Sequence, residues 1–168
     1  VVLLALALAW LFGLRPWARI EISWSSLALG LAGTVPLAAA LLAVPAGRWR
    51  WLDELTGLVR GFLELLFRNA PPGAVLLVSV LAGVGEELLF RGVVQDGLAA
   101  SSSPTVGILV ASLLFGAAHA VSLPYLAVAT VMGLYLGVLY HWSGNLLVPI
   151  LVHALYDWIA IRYYLRRR

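Results

Sequence analysis

Leu81-Ala-Gly-Val-Gly-Glu-Glu-Leu-Leu-Phe-Arg-Gly92 decides how this chain is read. Two adjacent carboxylates, Glu86 and Glu87, stand inside an apolar run that also carries Arg91. Ionisable groups at membrane depth cost several kcal/mol, so they face a bundle interior or a wet cavity and mark function by default. Glu87 and Arg91 are four apart, which puts them on one helix face in the favourable order. Charge-assisted hydrogen bonds can then neutralise the pair. Glu86 points about 100° away around the helix, with Phe90 as its neighbour one turn on. The pair therefore divides into one carboxylate tied to arginine and one without a local cation. A buried ion pair that only fixes packing would explain Glu87 and Arg91. It would not explain Glu86, whose poor solvation suits a general base working near neutral pH.

Working outward, the 168 residues are 62% hydrophobic and 11% charged, against about 25% charged in a soluble domain. That balance implies an integral membrane protein. The length allows about six spans of roughly 20 residues each. The expected fold is all-α: a polytopic transmembrane helix bundle, its first helix truncated, with one amphipathic interfacial helix. It forms a single transmembrane domain over residues 1–168, with a motif-bearing core at about 72–166. With no Cys there is no disulfide, no thiolate metal site and no cysteine nucleophile. The 11 basic residues are all Arg and are spread along the chain. Nucleic acid is excluded as a partner, since it needs a clustered basic face.

The hydrophobic runs place helices at about Val1–Gly13, Ser25–Val44, Pro72–Ala99, Thr105–Ala120, Tyr125–Tyr140 and Asn145–Arg166. Pro45–Arg50 is a boundary, and Trp17 and Trp24 are expected aromatic anchors. The chain opens Val1-Val-Leu-Leu with no basic stretch or cleavage site, which argues against a signal peptide and for a shortened first helix. Trp51–Phe67 differs, with Leu52, Leu55, Val59, Phe62, Leu63 and Leu66 at helical spacing between Asp53, Glu54, Arg60 and Glu64. It reads equally as an interfacial amphipathic helix or as a cytosolic helix packed on the bundle. Placing the tail Arg162, Arg166, Arg167 and Arg168 in the cytoplasm puts Arg48, Arg50, Arg60 and Arg68 on the same side and leaves Arg15 and Arg19 outside, as the positive-inside tendency requires.

Two more helices carry polar groups in apolar surroundings. One offers Phe115-Gly-Ala-Ala-His119, the other His153-Ala-Leu-Tyr-Asp157 with His and Asp on one face. A lone histidine in such a helix is more often a packing residue than a ligand. Here Glu86, Glu87, Arg91, His119, His153 and Asp157 are the strongly polar ionisable groups within three spans, and they are expected to meet around one cavity. Asp96 and His141 lie near helix ends and read as interfacial. Such a cluster suits water activation in either of two ways. Glu86, His119, His153 and Asp157 could hold Zn²⁺ with a position open for water. Alternatively, Glu86 and His119 activate water directly while His153 and Asp157 hold the developing oxyanion. Neither an HExxH helix nor a GxSxG serine elbow is present.

Glu86-Glu87-xxx-Arg91, Phe115-xxx-His119 and His153-xxx-Asp157, in this order on separate hydrophobic helices, resemble the CPBP family. That family comprises the type II CAAX prenyl proteases and the bacteriocin-processing or immunity (Abi-like) proteins. The resemblance implies an intramembrane endopeptidase with Glu86 as the water-activating residue. His119 and His153 stand at the motif histidines, and Asp157 stands where eukaryotic CAAX proteases have Asn. An extra negative charge there favours a cation, and an ionised Asp cannot donate a hydrogen bond to an oxyanion. Expected partners are the lipid bilayer and a peptide or membrane-protein substrate, lipidated or not, in a prokaryotic inner membrane. Two readings compete: a non-catalytic scaffold or immunity protein, and a proton or ion pathway built on the same groups.

Overall fold

A computed structural model describes residues 1–43 and 49–166. The expected boundary at Pro45–Arg50 falls largely outside these residues, as do Arg48, Arg167 and Arg168. Every regular element among the described residues is helical: α1 (Val2–Leu11), a 3-10 turn (Pro16–Arg19), α2 (Trp24–Ala43), α3 (Arg50–Phe67), α4 (Ala74–Glu87), a π-helical stretch (Leu88–Gln95), α5 (Asp96–Ser101), α6 (Pro104–Ala118), α7 (Leu123–Ser143) and α8 (Leu147–Arg166). Local chemistry sets the ends. Ser103 and Ser122 cap α6 and α7 by accepting from the backbone N–H of Val106 and Tyr125, and each helix has Pro in its first turn. Gly144, at φ 64°, closes α7 in the left-handed conformation that glycine adopts without penalty.

The stretch expected as one helix over Pro72–Ala99 is continuous, since Leu88 and Asp96 keep right-handed helical angles at both junctions. Its middle is π-helical rather than α-helical. Widened turns of this kind are rare and gather at functional sites.

The core is largely apolar, with Phe115, Leu136, Leu146 and Val152 buried, but it also encloses polar groups, and large apolar side chains cover the outside. Buried polar residues include Ser79, Glu87, Arg91, Gln95, Ser112 and His153, whereas Leu3, Trp10, Trp24, Leu65 and Leu123 are largely exposed. An apolar exterior of this extent needs a non-aqueous or protein partner. Two helices, Trp24–Ala43 and Leu123–Ser143, are long and apolar enough to cross a membrane on that criterion alone. The expected count of six spans is therefore not established by length and hydropathy. The reasons differ by helix: Val2–Leu11 and Pro104–Ala118 are apolar but short, α4 has 14 residues before the π-helical stretch, and α8 carries Asp157 and Arg162.

α8 lies centrally, against α2 on one side and α4 on another, while α6 packs along α7. Contacts between helices are close. A Cβ on Gly83 of α4 would lie 3.0 Å from the Ala154 nitrogen and the Ile150 carbonyl of α8. One turn later, Glu87 reaches His153. Likewise a Cβ on Gly116 would collide with Thr130 Oγ1 of α7, and His119 follows three residues on. Polar ties fix the remaining helices. Gln95 Nε2 donates to the Gly137 carbonyl (3.0 Å), Tyr135 donates to the Gly33 carbonyl (2.7 Å), and Asn145 exchanges two hydrogen bonds with the Glu21 backbone.

α3 buries one apolar side and exposes another. Leu55 and Leu63 are buried, while Leu58, Phe62, Leu65 and Leu66 form an adjoining exposed apolar stripe. The helix rests on α7 and α8.

Candidate active site

Glu86 and Glu87 close α4 where it passes into the π-helical stretch. Glu87 is fully buried. Its Oε1 accepts from Arg91 Nη1 at 2.9 Å and lies 2.8 Å from His153 Nδ1 on α8. Arg91 donates through Nη2 to the Gly133 carbonyl at 2.8 Å, and its guanidinium carbon sits 4.8 Å over the Phe115 ring. The arginine charge is thus held by a carboxylate, a carbonyl and an aromatic face, while its Nε–H is buried with no hydrogen-bond partner among the described residues.

His119 caps the C-terminal end of α6. Its Nδ1 is 2.8 Å from the Phe115 carbonyl oxygen. A carbonyl only accepts, so the hydrogen-bond network assigns the proton to Nδ1 and, in the neutral ring, leaves a lone pair on Nε2. That Nε2 faces Glu86 Oε2 at 3.4 Å. The contact is within ion-pair range, but Glu86 Oε2 makes no hydrogen bond among the described residues, and neither does Glu87 Oε2. Buried acceptors left open in this way are where a water or substrate group binds.

His153 turns its other nitrogen, Nε2, toward Asp157 Oδ2 at 3.5 Å. With a carboxylate at each ring nitrogen, the doubly protonated ring would have an acceptor for both N–H groups. Exposure sorts the site by depth. The side chains of Glu87 (0%), Arg91 (1%) and His153 (3%) form the floor, and Glu86 (16%), Asp157 (27%) and His119 (28%) form the rim.

The six expected residues therefore meet, as a chain Arg91–Glu87–His153–Asp157 beside the pair Glu86–His119. The division of labour differs from the sequence expectation in one respect: His153 rests on Glu87, the carboxylate read there as purely structural. Asp96 lies apart, accepting from Tyr140 at 2.7 Å. With Arg19, Tyr140 and His141 it lines a separate cavity of about 160 Å³.

Two aromatic residues join the site that were not among its six expected members, although Phe115 opens the Phe115-xxx-His119 motif. Phe115 stacks on His119 (centroids 4.5 Å), meets His153 edge-on (5.7 Å) and meets Phe90 edge-on (5.2 Å). Its position four residues before His119 was the available signal. Tyr125 meets the His119 ring at 6.4 Å and 75°, and nothing in its spacing marks it.

The donor chemistry, two imidazoles and two carboxylates, suits zinc. The separations of 3.4 and 3.5 Å within the Glu86–His119 and His153–Asp157 pairs match the roughly 3.3 Å between adjacent ligands held about 2.0 Å from a tetrahedral ion. Among the described residues, however, no group of three or more such side chains is gathered around one metal position.

The family model described as Type II CAAX prenyl endopeptidase Rce1-like matches residues 64–159. The chain is also 34% identical over 103 residues to the uncharacterized protein YpbD of Bacillus subtilis (strain 168), covering 58% of this chain and 49% of that protein. It thus spans about half the length of that curated relative. No solved structure matches.

Proposed function

The chain belongs to the Rce1-like family of type II CAAX prenyl endopeptidases, and from that membership and the site geometry we propose that it is an intramembrane endopeptidase in which Glu86 activates water. The observation that carries this reading is the asymmetry of the acidic pair. Glu87 is engaged by Arg91 and His153, whereas Glu86 Oε2 faces His119 and makes no hydrogen bond among the described residues.

A water beside Glu86 Oε2 and His119 Nε2 can give one hydrogen bond to each acceptor. As Glu86 takes a water proton, the oxygen attacks the scissile carbonyl carbon and the carbonyl electrons move onto its oxygen. His153, supported by Glu87 and Asp157, sets its positive charge beside that oxyanion. Collapse breaks the C–N bond, and Glu86 returns the proton to the leaving nitrogen. One water is consumed, and an amine and a carboxyl terminus are released. Zn²⁺ held by Glu86, His119, His153 and Asp157 would add Lewis-acid polarisation at the same place.

We place the whole described chain in the bilayer as one domain, with α3 in the interface. Supporting this are the exposed apolar flanks, the buried cluster of charged and polar side chains and the apolar stripe of α3. Arg162 and the α3–α4 corner line one cavity at one end of the bundle, whereas Arg19 lines another with the α7–α8 turn. The positive-inside tendency puts the arginine-rich end, and with it the C-terminus, in the cytoplasm. The substrate is a peptide tail, lipidated or helical, entering from the membrane.

The test is Glu86→Gln in vesicles, assayed with reporter peptides bearing a prenylated or unprenylated C-terminal CAAX tetrapeptide. Loss of the general base should lower kcat by about 10²–10⁴-fold with the thermal midpoint unchanged. Cleavage at the wild-type rate by this variant, or no cleavage by the native chain, would refute the reading.

A further inference from the structure

The imidazole N–H groups of the site are committed, and the unpartnered Nε–H of Arg91 lies on the buried floor rather than at the rim. His119 Nδ1–H goes to the Phe115 carbonyl, His153 Nδ1–H to Glu87, and Arg91 to Glu87 and the Gly133 carbonyl. The rim presents the Glu86 and Asp157 carboxylates and the His119 Nε2 lone pair, all acceptors in that state. The one remaining imidazole donor, Nε2–H of a protonated His153, already faces Asp157. A tetrahedral oxyanion formed at this rim would be bordered by negative charge and short of donors. A neutral hydrogen-bond donor at the rim would stabilise it.

Tyr125 meets that description. It lies in the first turn of α7, fixed by its backbone N–H on Ser122 Oγ at 3.3 Å. Only a short loop separates it from His119, and its ring stands edge-on to that imidazole. The ring thus stands beside the imidazole whose Nε2 faces Glu86. The hydrogen bond that fixes it uses the backbone N–H and leaves the phenol out.

We propose that Tyr125 is a further catalytic residue, whose phenol O–H donates a hydrogen bond to the oxyanion of the tetrahedral intermediate without transferring its proton. The assignment rests on the hydrolase reading above and adds a residue that lies outside all three polar motifs. It also accounts for how a site with Asp157 in place of an amide could still provide a neutral donor.

The experiment compares Tyr125→Phe with the native chain and Glu86→Gln, all in vesicles with the CAAX reporter peptide. Removing one oxyanion donor should cost about 10²-fold in kcat, with KM within about twofold and an unchanged thermal midpoint. A phosphinate analogue of the reporter, which mimics the tetrahedral centre, should lose affinity for Tyr125→Phe by a comparable factor, while an uncleavable ground-state peptide binds as before. Native kcat in Tyr125→Phe would overturn the assignment. So would a change confined to KM or to thermal stability, since that marks a packing residue. Full activity in Tyr125→Phe beside a dead Glu86→Gln sinks only Tyr125; cleavage by Glu86→Gln sinks the hydrolase reading with it.

Discussion

His153 Nδ1 lies 2.8 Å from Glu87 Oε1, the same oxygen that accepts Arg91 Nη1 at 2.9 Å. One carboxylate oxygen thus joins two helices and compensates a buried cation. Glu87→Gln keeps the shape but removes the charge that offsets Arg91. Breaking a buried pair by removing one partner costs about 3–5 kcal/mol. The expected outcome is a large drop in the unfolding midpoint for Glu87→Gln, in contrast to Glu86→Gln. Thermal unfolding in mild detergent measures the difference. Equal midpoints for the two variants would show that Glu87 is not the anchor described.

Phe115 touches His119, His153, Phe90 and the Arg91 guanidinium. Truncating it removes the surface against which both imidazoles are set. Phe115→Ala should destabilise the fold by about 3–5 kcal/mol. Phe115→Leu keeps most of the bulk and should fold, yet cleave slowly, because the His119 ring loses its stacking partner. Parallel unfolding and cleavage assays check this; a fully active leucine variant would reduce Phe115 to a space-filling role.

What could be read in the sequence, and what could not, follows from the physics of each feature. Polar residues stand out in apolar helices because lipid makes them costly, so Glu86, Glu87, Arg91, His119, His153 and Asp157 were visible as one set. Helix extents were nearly so, with Ser25–Val44 expected and Trp24–Ala43 found, since apolar runs and Pro or Gly breaks govern them. The Glu87–Arg91 pair follows from i, i+4 spacing. The π-helical turn does not, because Leu88–Gln95 has no composition that distinguishes it from an α-helix. That His153 meets Glu87 depends on how closely Gly83 lets α4 approach α8, and single-helix periodicity holds no such information. Tyr125 was hidden for a related reason: an aromatic in an apolar helix looks like packing until its neighbours are known.

That close approach is itself testable. A Cβ at position 83 would stand 3.0 Å from the backbone of α8 on two sides, with no flexible side-chain end to yield at the backbone atoms. Gly83→Val should force α4 and α8 apart, at about 1–3 kcal/mol for overpacking. Because Glu87 follows one turn later, cleavage should fall more steeply than stability. Gly57→Val, at an exposed position with nothing within 4 Å, is the matched control and should leave cleavage unaltered.

Asp157 faces His153 Nε2 at 3.5 Å with its carboxylate partly open to the rim. As a carboxylate it supports a protonated His153 but can only accept hydrogen bonds. Asp157→Asn exchanges that support for an amide that donates. If the oxyanion is held by hydrogen-bond donors at this rim, the asparagine variant should retain cleavage within about tenfold of native, while Asp157→Ala loses about 10²-fold or more. If Asp157 instead serves as a zinc ligand, both variants should lose bound zinc and activity together, since a neutral amide is a far poorer ligand for that ion than a carboxylate. Metal content and cleavage measured on the same preparations separate the outcomes. An active, zinc-free Asp157→Asn would place the fourth corner of the site in oxyanion support, whereas an inactive variant with its zinc lost would move the chemistry onto the metal.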